Sequence, residues 1–122
     1  MKTVMVVDDS RIMRNIVKNT FSELKIPCRF LEAENGKEAM DLLFANETHL
    51  ILLDWNMPEL SGLDFLKQVR AITKYKDLPI IMVTSESAKY NVIEALKFGA
   101  TDYIIKPVNE KIFMEKLSKI TI

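Results

Sequence analysis

Short apolar runs alternate along the chain with longer stretches in which apolar residues recur every three or four positions. The short runs are VMVV (4–7), FLEA (30–33), LILL (50–53), IIMV (80–83) and YII (103–105). β-Branched residues are concentrated in these runs, which favours strands. Four of the runs are nearly continuous rather than alternating, and this pattern is typical of strands buried on both faces of a parallel sheet.

Five helical patterns follow the five predicted strands. Ser10, Ser61 and Asn109 are predicted N-caps, Gly36 precedes the second helix, and Gly99 ends the fourth. The apolar positions predicted to face the sheet are Met13, Ile16, Val17, Thr20, Phe21 and Leu24 in the first helix, Ala39, Met40 and Leu43 in the second, Phe65, Leu66, Val69 and Ile72 in the third, Val92, Ile93 and Leu96 in the fourth, and Phe113, Leu117 and Ile120 in the fifth.

This order, a strand followed by a helix repeated five times, predicts an α/β fold. We expect a doubly wound parallel sheet of five strands with right-handed crossovers, covered by five helices on both faces. At 122 residues the chain has the length of one domain, so residues 1–122 are predicted to form a single unit.

Composition and charge exclude several classes of function. Seventeen Lys and Arg balance seventeen Asp and Glu, so the chain lacks the bulk positive charge that favours nucleic acid or an anionic membrane. The first apolar run is short and ends in two carboxylates, which argues against a signal peptide or membrane span. The single cysteine, Cys28, cannot form an internal disulfide, and this favours a reducing compartment such as the cytoplasm.

Chemically useful side chains follow four of the five predicted strands. Asp8 and Asp9 follow the first strand, Asp54 the third, Thr84 ends the fourth, and Lys106 follows the fifth. Ligands bind beyond the carboxyl ends of such strands, so we expect these side chains to meet at one edge of the sheet. Three carboxylates there require a compensating cation, and Mg²⁺ prefers oxygen ligands. An Asp beside a metal ion and a Lys is suited to attack a phosphoryl group and form an aspartyl phosphate.

Each of these motifs alone also has a structural interpretation. Asp8 and Asp9 fit a strand-end turn or a pair of helix-capping residues, and Thr84 fits a strand-end hydroxyl. Lys106 alone would be a surface residue. The joint pattern is the specific signal, because each group stands at the end of its own strand.

The motifs VVDDS, LLDWNMP, MVTSE and DYIIKP together resemble the signatures of response-regulator receiver domains. The resemblance extends from the first strand to the last helix and is closest to the single-domain chemotaxis regulators of that family. It implies a flavodoxin-like fold with the sheet order 2-1-3-4-5. It also implies that the chain is not an enzyme with a separate substrate, and that it catalyses only its own phosphorylation and dephosphorylation.

The family pattern implies a magnesium site. By this resemblance Asp54 is the phosphoacceptor and a metal ligand, Asp9 binds Mg²⁺ directly, and Asp8 does so largely through water. The backbone carbonyl of Asn56 is a further implied ligand.

The resemblance also implies residues that act on the phosphoryl group and on the switch. Thr84 hydrogen-bonds the phosphoryl group, Lys106 pairs with it, and a cis peptide bond joins Lys106 to Pro107. Tyr103 is the aromatic switch residue, and it moves together with Thr84.

Two further predictions concern the lifetime of the phosphoprotein and its output. Asn56, Ser85 and Glu86 flank the acceptor and are predicted to tune dephosphorylation, with Asn56 and Glu86 orienting a water and Ser85 leaving access open. The output surface is predicted on the fourth helix, fifth strand and fifth helix. Its expected exposed members are Ala88, Lys89, Tyr90, Tyr103, Lys116 and Lys119.

The expected partners of a chemotaxis regulator are a CheA-like histidine kinase and a target such as a flagellar motor switch protein. A phosphatase is a further candidate partner, and the chain is expected to be a monomer.

Three alternatives remain open. The chain could be the receiver of a longer regulator, or a phosphorelay intermediate. It could be a metal-dependent phosphatase, although Asn56 stands where phosphatases resembling the haloacid-dehalogenase group carry a second Asp. It could be a flavin carrier, although two carboxylates would repel the flavin phosphate.

Overall fold

The computed structural model describes residues 1–120, which form one parallel sheet between two layers of helices. The sheet order is β2-β1-β3-β4-β5, and all four neighbouring pairs are parallel, as predicted. The elements are β1 Lys2–Val7, α1 Arg11–Glu23, β2 Cys28–Ala33, α2 Gly36–Ala45, β3 Leu50–Leu53, α3 Gly62–Arg70, a 3₁₀ turn Thr73–Tyr75, β4 Ile80–Thr84, α4 Lys89–Lys97, β5 Asp102–Ile105 and α5 Glu110–Ser118.

Both faces of the central strands are buried, which explains their continuous apolar runs. On one face, Met5 of β1 packs in a cluster with residues of α2, α3 and α4. On the other face, Val6 packs with Phe21 of α1 and Phe113 of α5, whose rings meet edge to face at 5.2 Å. None of the helices in residues 1–120 is long and apolar enough to cross a bilayer.

The predicted helix caps are present at three of the helices. The side chains of Ser10, Ser61 and Asn109 each accept a hydrogen bond from a backbone N–H in the first turn. Gly99, with φ of 107°, follows α4, as its predicted role as a helix stop requires.

Three details of the helix predictions are wrong. α2 begins at Gly36 itself, because the preceding Asn35 supplies the cap by accepting from the N–H of Glu38 at 2.8 Å. In α4, the small Ala95 is the buried residue, whereas Ile93 and Leu96 are 55% and 44% exposed. Ala95 lies three positions after Val92, which packs against the same core, so these two residues share the face of α4 that meets the sheet.

In α1 the predicted inward position of Ile16 is also wrong, because its side chain is 40% exposed. Val17, Thr20 and Phe21 form the buried stripe. The buried Thr20 hydroxyl has a hydrogen-bond partner, since it donates to the carbonyl of Ile16 at 2.9 Å.

The start of α3 touches the backbone of the loop that follows β3. The Gly62 N–H donates to the carbonyl oxygen of Trp55 at 2.8 Å. A Cβ atom added to Gly62 would overlap the carbonyl oxygen of Asp54 and come within 2.9 Å of the Cα of Trp55. Only glycine therefore allows α3 to approach the end of β3 this closely.

We predict that Gly62→Ala lowers the free energy of unfolding by about 1–3 kcal/mol, because backbone must move to admit the methyl group. Urea unfolding followed by circular dichroism measures this change. Gln68→Ala on the exposed side of α3 is the matched control, with an expected change within about 0.5 kcal/mol. Equal stability of the Gly62 variant and the control would contradict the close approach.

Candidate functional site

Three carboxylates converge at the carboxyl edge of the sheet. One carboxylate oxygen from each of Asp8, Asp9 and Asp54 can be chosen so that all three lie within 4.8 Å of one another. Asp8 and Asp54 are buried, at 5% and 6% exposure, whereas Asp9 is exposed. The predicted cluster at this edge is therefore present.

The backbone holds these residues because the sheet ladder continues past the strand ends. The Asp54 N–H donates to the carbonyl of Val7 at 2.9 Å, and the Asp8 N–H donates to the carbonyl of Ala33 at 3.0 Å. The Lys106 N–H donates to the carbonyl of Thr84 at 2.9 Å. These bonds fix the height of each site residue above the sheet.

Lys106 brings a positive charge into the cluster. Its Nζ lies 2.9 Å from Oδ2 of Asp8 and 3.5 Å from Oδ2 of Asp54, and its side chain is only 15% exposed. The Lys106–Pro107 peptide bond is cis, as the resemblance implies. One ammonium group thus lies between two buried carboxylates, and it contacts both.

The surroundings of Asp54, the candidate phosphoacceptor, disfavour its ionised form. Burial raises the pKa of its carboxyl, and the nearby negative charge of Asp8 raises it further. The Thr84 hydroxyl, the Lys106 ammonium and the Trp55 N–H act in the opposite direction. The Trp55 N–H donates to Oδ1 of Asp54 at 2.8 Å.

Glu86 links the loops on either side of the acceptor. Its Oε1 accepts from Nδ2 of Asn56 at 2.9 Å, and its Oε2 accepts from Nδ2 of Asn91 at 3.2 Å. Its N–H donates to the hydroxyl of Thr84 at 3.3 Å, and its carbonyl accepts from the Tyr103 hydroxyl at 2.7 Å. The two residues predicted to orient a water, Asn56 and Glu86, are therefore bonded to each other.

Comparison with known proteins identifies the family. A model of the response regulator receiver domain matches residues 4–118. The chain belongs to the response regulator receiver family.

Individual similar proteins indicate which kind of receiver this chain resembles. A chemotaxis protein CheY homolog of Campylobacter jejuni is 52% identical over 118 residues, covering 96% of this chain and 90% of that protein. The chemotaxis protein CheY1 of Helicobacter pylori is 50% identical over 115 residues, covering 93% and 92%. The solved structure of the chemotaxis regulator CheY4 of Vibrio cholerae has a TM-score of 0.88 at 31% identity, covering 99% of both chains. This receiver is CheY-like, and its similarity supports a role in chemotaxis.

The carboxylate cluster of this receiver fits the magnesium ion that receiver domains bind in general. Two of the three acidic groups are buried, and the Lys106 ammonium alone cannot neutralise three negative charges. Carboxylate oxygens are the ligands that a hard divalent cation prefers. Asn56 is exposed in the loop just after Asp54, and the role of its carbonyl as a ligand stays a prediction.

The predicted output surface is exposed only in part. Lys89, Tyr90 and Lys119 are exposed, and Ala88 is half-buried. Lys116 is also half-buried, because its Nζ pairs with Oδ1 of Asp102 at 3.0 Å.

The expected exposure of Tyr103 is wrong. Its ring is buried, with 7% exposure, because it packs in the core cluster that contains Met82, while its hydroxyl donates to the carbonyl of Glu86. Burial, together with the negative charges of Glu86 and Asp54, raises the pKa of Tyr103 to about 12. The phenol therefore stays protonated and able to donate at neutral pH.

Sequence reasoning missed the apolar members of this surface and some supporting bonds of the site. Ile93 and Ile105 are 55% and 46% exposed beside the predicted surface residues. Asn91 binds Glu86, and Arg14 donates to the carbonyl of Asp8 at 2.7 Å. A polar residue inside the apolar pattern of a helix was the available signal for Arg14, because such a residue needs a partner.

We predict that Asp54→Asn stabilises the metal-free receiver at neutral pH. The folded-state pKa of Asp54 is raised, so its ionisation costs stability as the pH rises from the unfolded-state pKa through the folded-state pKa. The variant should therefore gain roughly 4 °C in Tm at pH 7, and this gain should vanish below about pH 4. Thermal melts in EDTA across this pH range measure the difference.

Asp41→Asn on the exposed side of α2 is the control for that series, and we expect its Tm to follow the wild-type value at each pH. A gain in the Asp54 variant that does not depend on pH would contradict the electrostatic explanation.

Proposed function

We propose that this receiver accepts a phosphoryl group on Asp54 from a histidine kinase, with Mg²⁺ bound, and thereby changes its affinity for a target protein. The observation that supports this proposal best is the convergence of three carboxylates and the Lys106 ammonium at one edge of the sheet. The similarity to chemotaxis regulators supports a CheA-like kinase and a flagellar motor switch protein as partners. We therefore expect phosphorylation of the receiver by such a kinase to take place in the cytoplasm.

The transfer itself is a substitution at phosphorus. A carboxylate oxygen of Asp54 bonds to phosphorus as the phosphorus–nitrogen bond of the donor phosphohistidine breaks, and the imidazole leaves. The deprotonated carboxylate of Asp54 supplies the electron pair for this attack. Bound Mg²⁺ would offset negative charge on the carboxylates and on the transferred oxygens.

The residues of this chain have separate tasks in the proposed mechanism. Asp8 and Asp9 would hold the metal ion, and Asp8 also accepts a hydrogen bond from Lys106 at 2.9 Å. After transfer, the Lys106 ammonium and the Thr84 hydroxyl bind the phosphoryl oxygens. The receiver catalyses only this transfer and the later hydrolysis of its own acyl phosphate.

The output step requires a link from Asp54 to a surface, and the contacts of Glu86 supply one. Thr84, which ends β4, binds the N–H of Glu86, and Glu86 binds Tyr103 through its carbonyl. A shift of Thr84 toward the phosphoryl group would therefore move the loop that Tyr103 holds. We place target binding on the adjoining surface of α4 and β5, where Tyr90, Ile93 and Ile105 are exposed.

The central experiment is incubation with acetyl phosphate and Mg²⁺, followed by intact mass measurement. We expect one added phosphoryl group on the wild-type receiver and none on Asp54→Asn, because an amide cannot form the acyl phosphate. Asp41→Asn is the control and should be modified as fully as wild type. Full modification of the Asp54 variant, or of wild type in excess EDTA, would contradict the proposal.

Dephosphorylation should depend on the pair formed by Asn56 and Glu86. We expect changing both to Leu to slow the loss of phosphoryl from Asp54 by about tenfold or more, because a positioned water and an open path are both lost. Ser87→Leu adds similar bulk at an exposed position of the same loop and should leave the rate unchanged. The measurement is the decay of the phosphorylated mass with Mg²⁺ present, and equal rates would refute the role of the pair.

The switch should depend on the Tyr103 ring and its hydroxyl. Beryllofluoride, a phosphoryl mimic, should change wild-type amide chemical shifts from Asp54 through Thr84 to residues 88–92 and 103–119. Tyr103→Ala should still be labelled by acetyl phosphate almost as fully as wild type. In this variant the beryllofluoride-induced shift changes beyond the site loops should fall by about half or more. Tyr103→Phe should reduce these shift changes by a smaller amount. A wild-type response confined to the metal-binding loops would rule this mechanism out.

A further inference from the structure

Arg14 lies on α1 directly behind the turn that carries the metal-binding carboxylates. Its Nη1 donates to the carbonyl oxygen of Asp8 at 2.7 Å, and its Nε donates to Oε1 of Glu32 at 3.1 Å. Although it carries a charge, its side chain is only 13% exposed. The guanidinium therefore bridges the exit of β1 and the end of β2.

Glu32 fixes the orientation of this guanidinium. Its second carboxylate oxygen accepts from the Nζ of Lys18 at 2.9 Å, so both oxygens are engaged by cations from α1. The hydrogen bonds from Lys18 and Arg14 and their positive charges lower the pKa of Glu32, while its partial burial acts in the opposite direction. Glu32, on the edge strand β2, thus holds the Arg14 guanidinium in one orientation.

The carbonyl of Asp8 is part of the peptide unit that joins Asp8 to Asp9. The other polar groups of Asp8 are already bound, since its N–H donates to Ala33, its Oδ1 accepts from the Ser10 N–H at 2.9 Å and its Oδ2 accepts from Lys106. The hydrogen bond from Arg14 to the Asp8 carbonyl fixes the plane of the peptide unit between Asp8 and Asp9. Rotation of that plane would swing the exposed Asp9 away from Asp8 and Asp54.

We propose that Arg14, oriented by Glu32, is a positioning residue that holds Asp9 in the metal-binding geometry. This inference rests on the proposed function, because it assumes that Mg²⁺ binds at the carboxylate cluster. Arg14 itself contacts none of the three carboxylates in the cluster and acts through the peptide between Asp8 and Asp9.

Charge and geometry make opposite predictions for the removal of Arg14. A positive charge near the cluster repels a divalent cation, so neutralising it would tighten Mg²⁺ binding if only charge mattered. Loss of the bond to the Asp8 carbonyl would release Asp9 and weaken binding. The sign of the change in affinity therefore separates the two effects.

The test is a Mg²⁺ titration followed by the fluorescence of Trp55, the single tryptophan, which adjoins Asp54. Arg14→Gln should raise the Kd for Mg²⁺ about tenfold, the usual cost of losing a group that orients metal ligands. Arg14→Lys keeps the charge but cannot reach two acceptors as a planar fork does, so its Kd should also rise. Arg11→Gln, which removes a charge from the exposed side of α1, should show no weakening.

A role in fold stability alone would give a different result. It would lower the Tm in EDTA and leave the Kd, measured where every variant is folded, at the wild-type value. Positioning predicts a raised Kd, with the rate of acetyl phosphate labelling recovered at saturating Mg²⁺. If the Arg14 variants fail to fold, Glu32→Gln replaces them, and it should raise the Kd by a smaller factor.

The outcomes also separate this inference from the function on which it rests. A wild-type receiver that neither binds Mg²⁺ nor becomes labelled would refute the proposed function. A wild-type receiver that does both, with Arg14 variants that bind Mg²⁺ as tightly as wild type or more tightly, would overturn the positioning role of Arg14.

Discussion

The ion pair between Lys106 and the two buried carboxylates is the constraint on which the site depends. Asp8 and Asp54 carry like charges in a poorly solvated place, and one ammonium contacts both. Burying charges is costly unless each has a partner, so this arrangement persists only because the sheet places the three residues at one edge. The same imbalance of charge fits the magnesium ion that receiver domains bind in general.

The backbone contributes as much to this geometry as the side chains do. Ladder hydrogen bonds run beyond the strand ends to Asp8, Asp54 and Lys106, and the closely approaching Gly62 holds α3 against the loop that follows Asp54. Side chains on such a scaffold would need little reorganisation during the proposed phosphoryl transfer. The loops beside them are joined through Glu86, so a small displacement at the site has a route to α4 and β5.

Much of this architecture could be predicted from the sequence because the signals are local. Continuous apolar runs predicted the buried strands, cap residues predicted the starts of three helices, and strand exits predicted the carboxylate cluster. Side-chain direction was harder to predict. The hydroxyl of Tyr103 favoured an exposed position, but its ring packs in the core and its hydroxyl finds a partner in the carbonyl of Glu86.

The face of α4 that packs on the sheet was unpredictable for a related reason. Apolar periodicity cannot separate residues that face the sheet from apolar residues that stay exposed, as Ile93 does. The bond from Arg14 to the Asp8 carbonyl depends on a backbone atom, and no residue pattern records where a backbone atom points.

The distance along the chain between the partners of the central ion pair has a consequence for biosynthesis. Asp8 and Lys106 are 98 residues apart, and β1 and β5, the strands that precede them, are separated in the sheet by β3 and β4. Contacts this remote form late, after local structure has condensed. A nascent or truncated chain that lacks β5 has Asp54 but not the ammonium beside it. The complete site is therefore a marker of finished folding, because it needs side chains that follow both the first and the last strand of the chain.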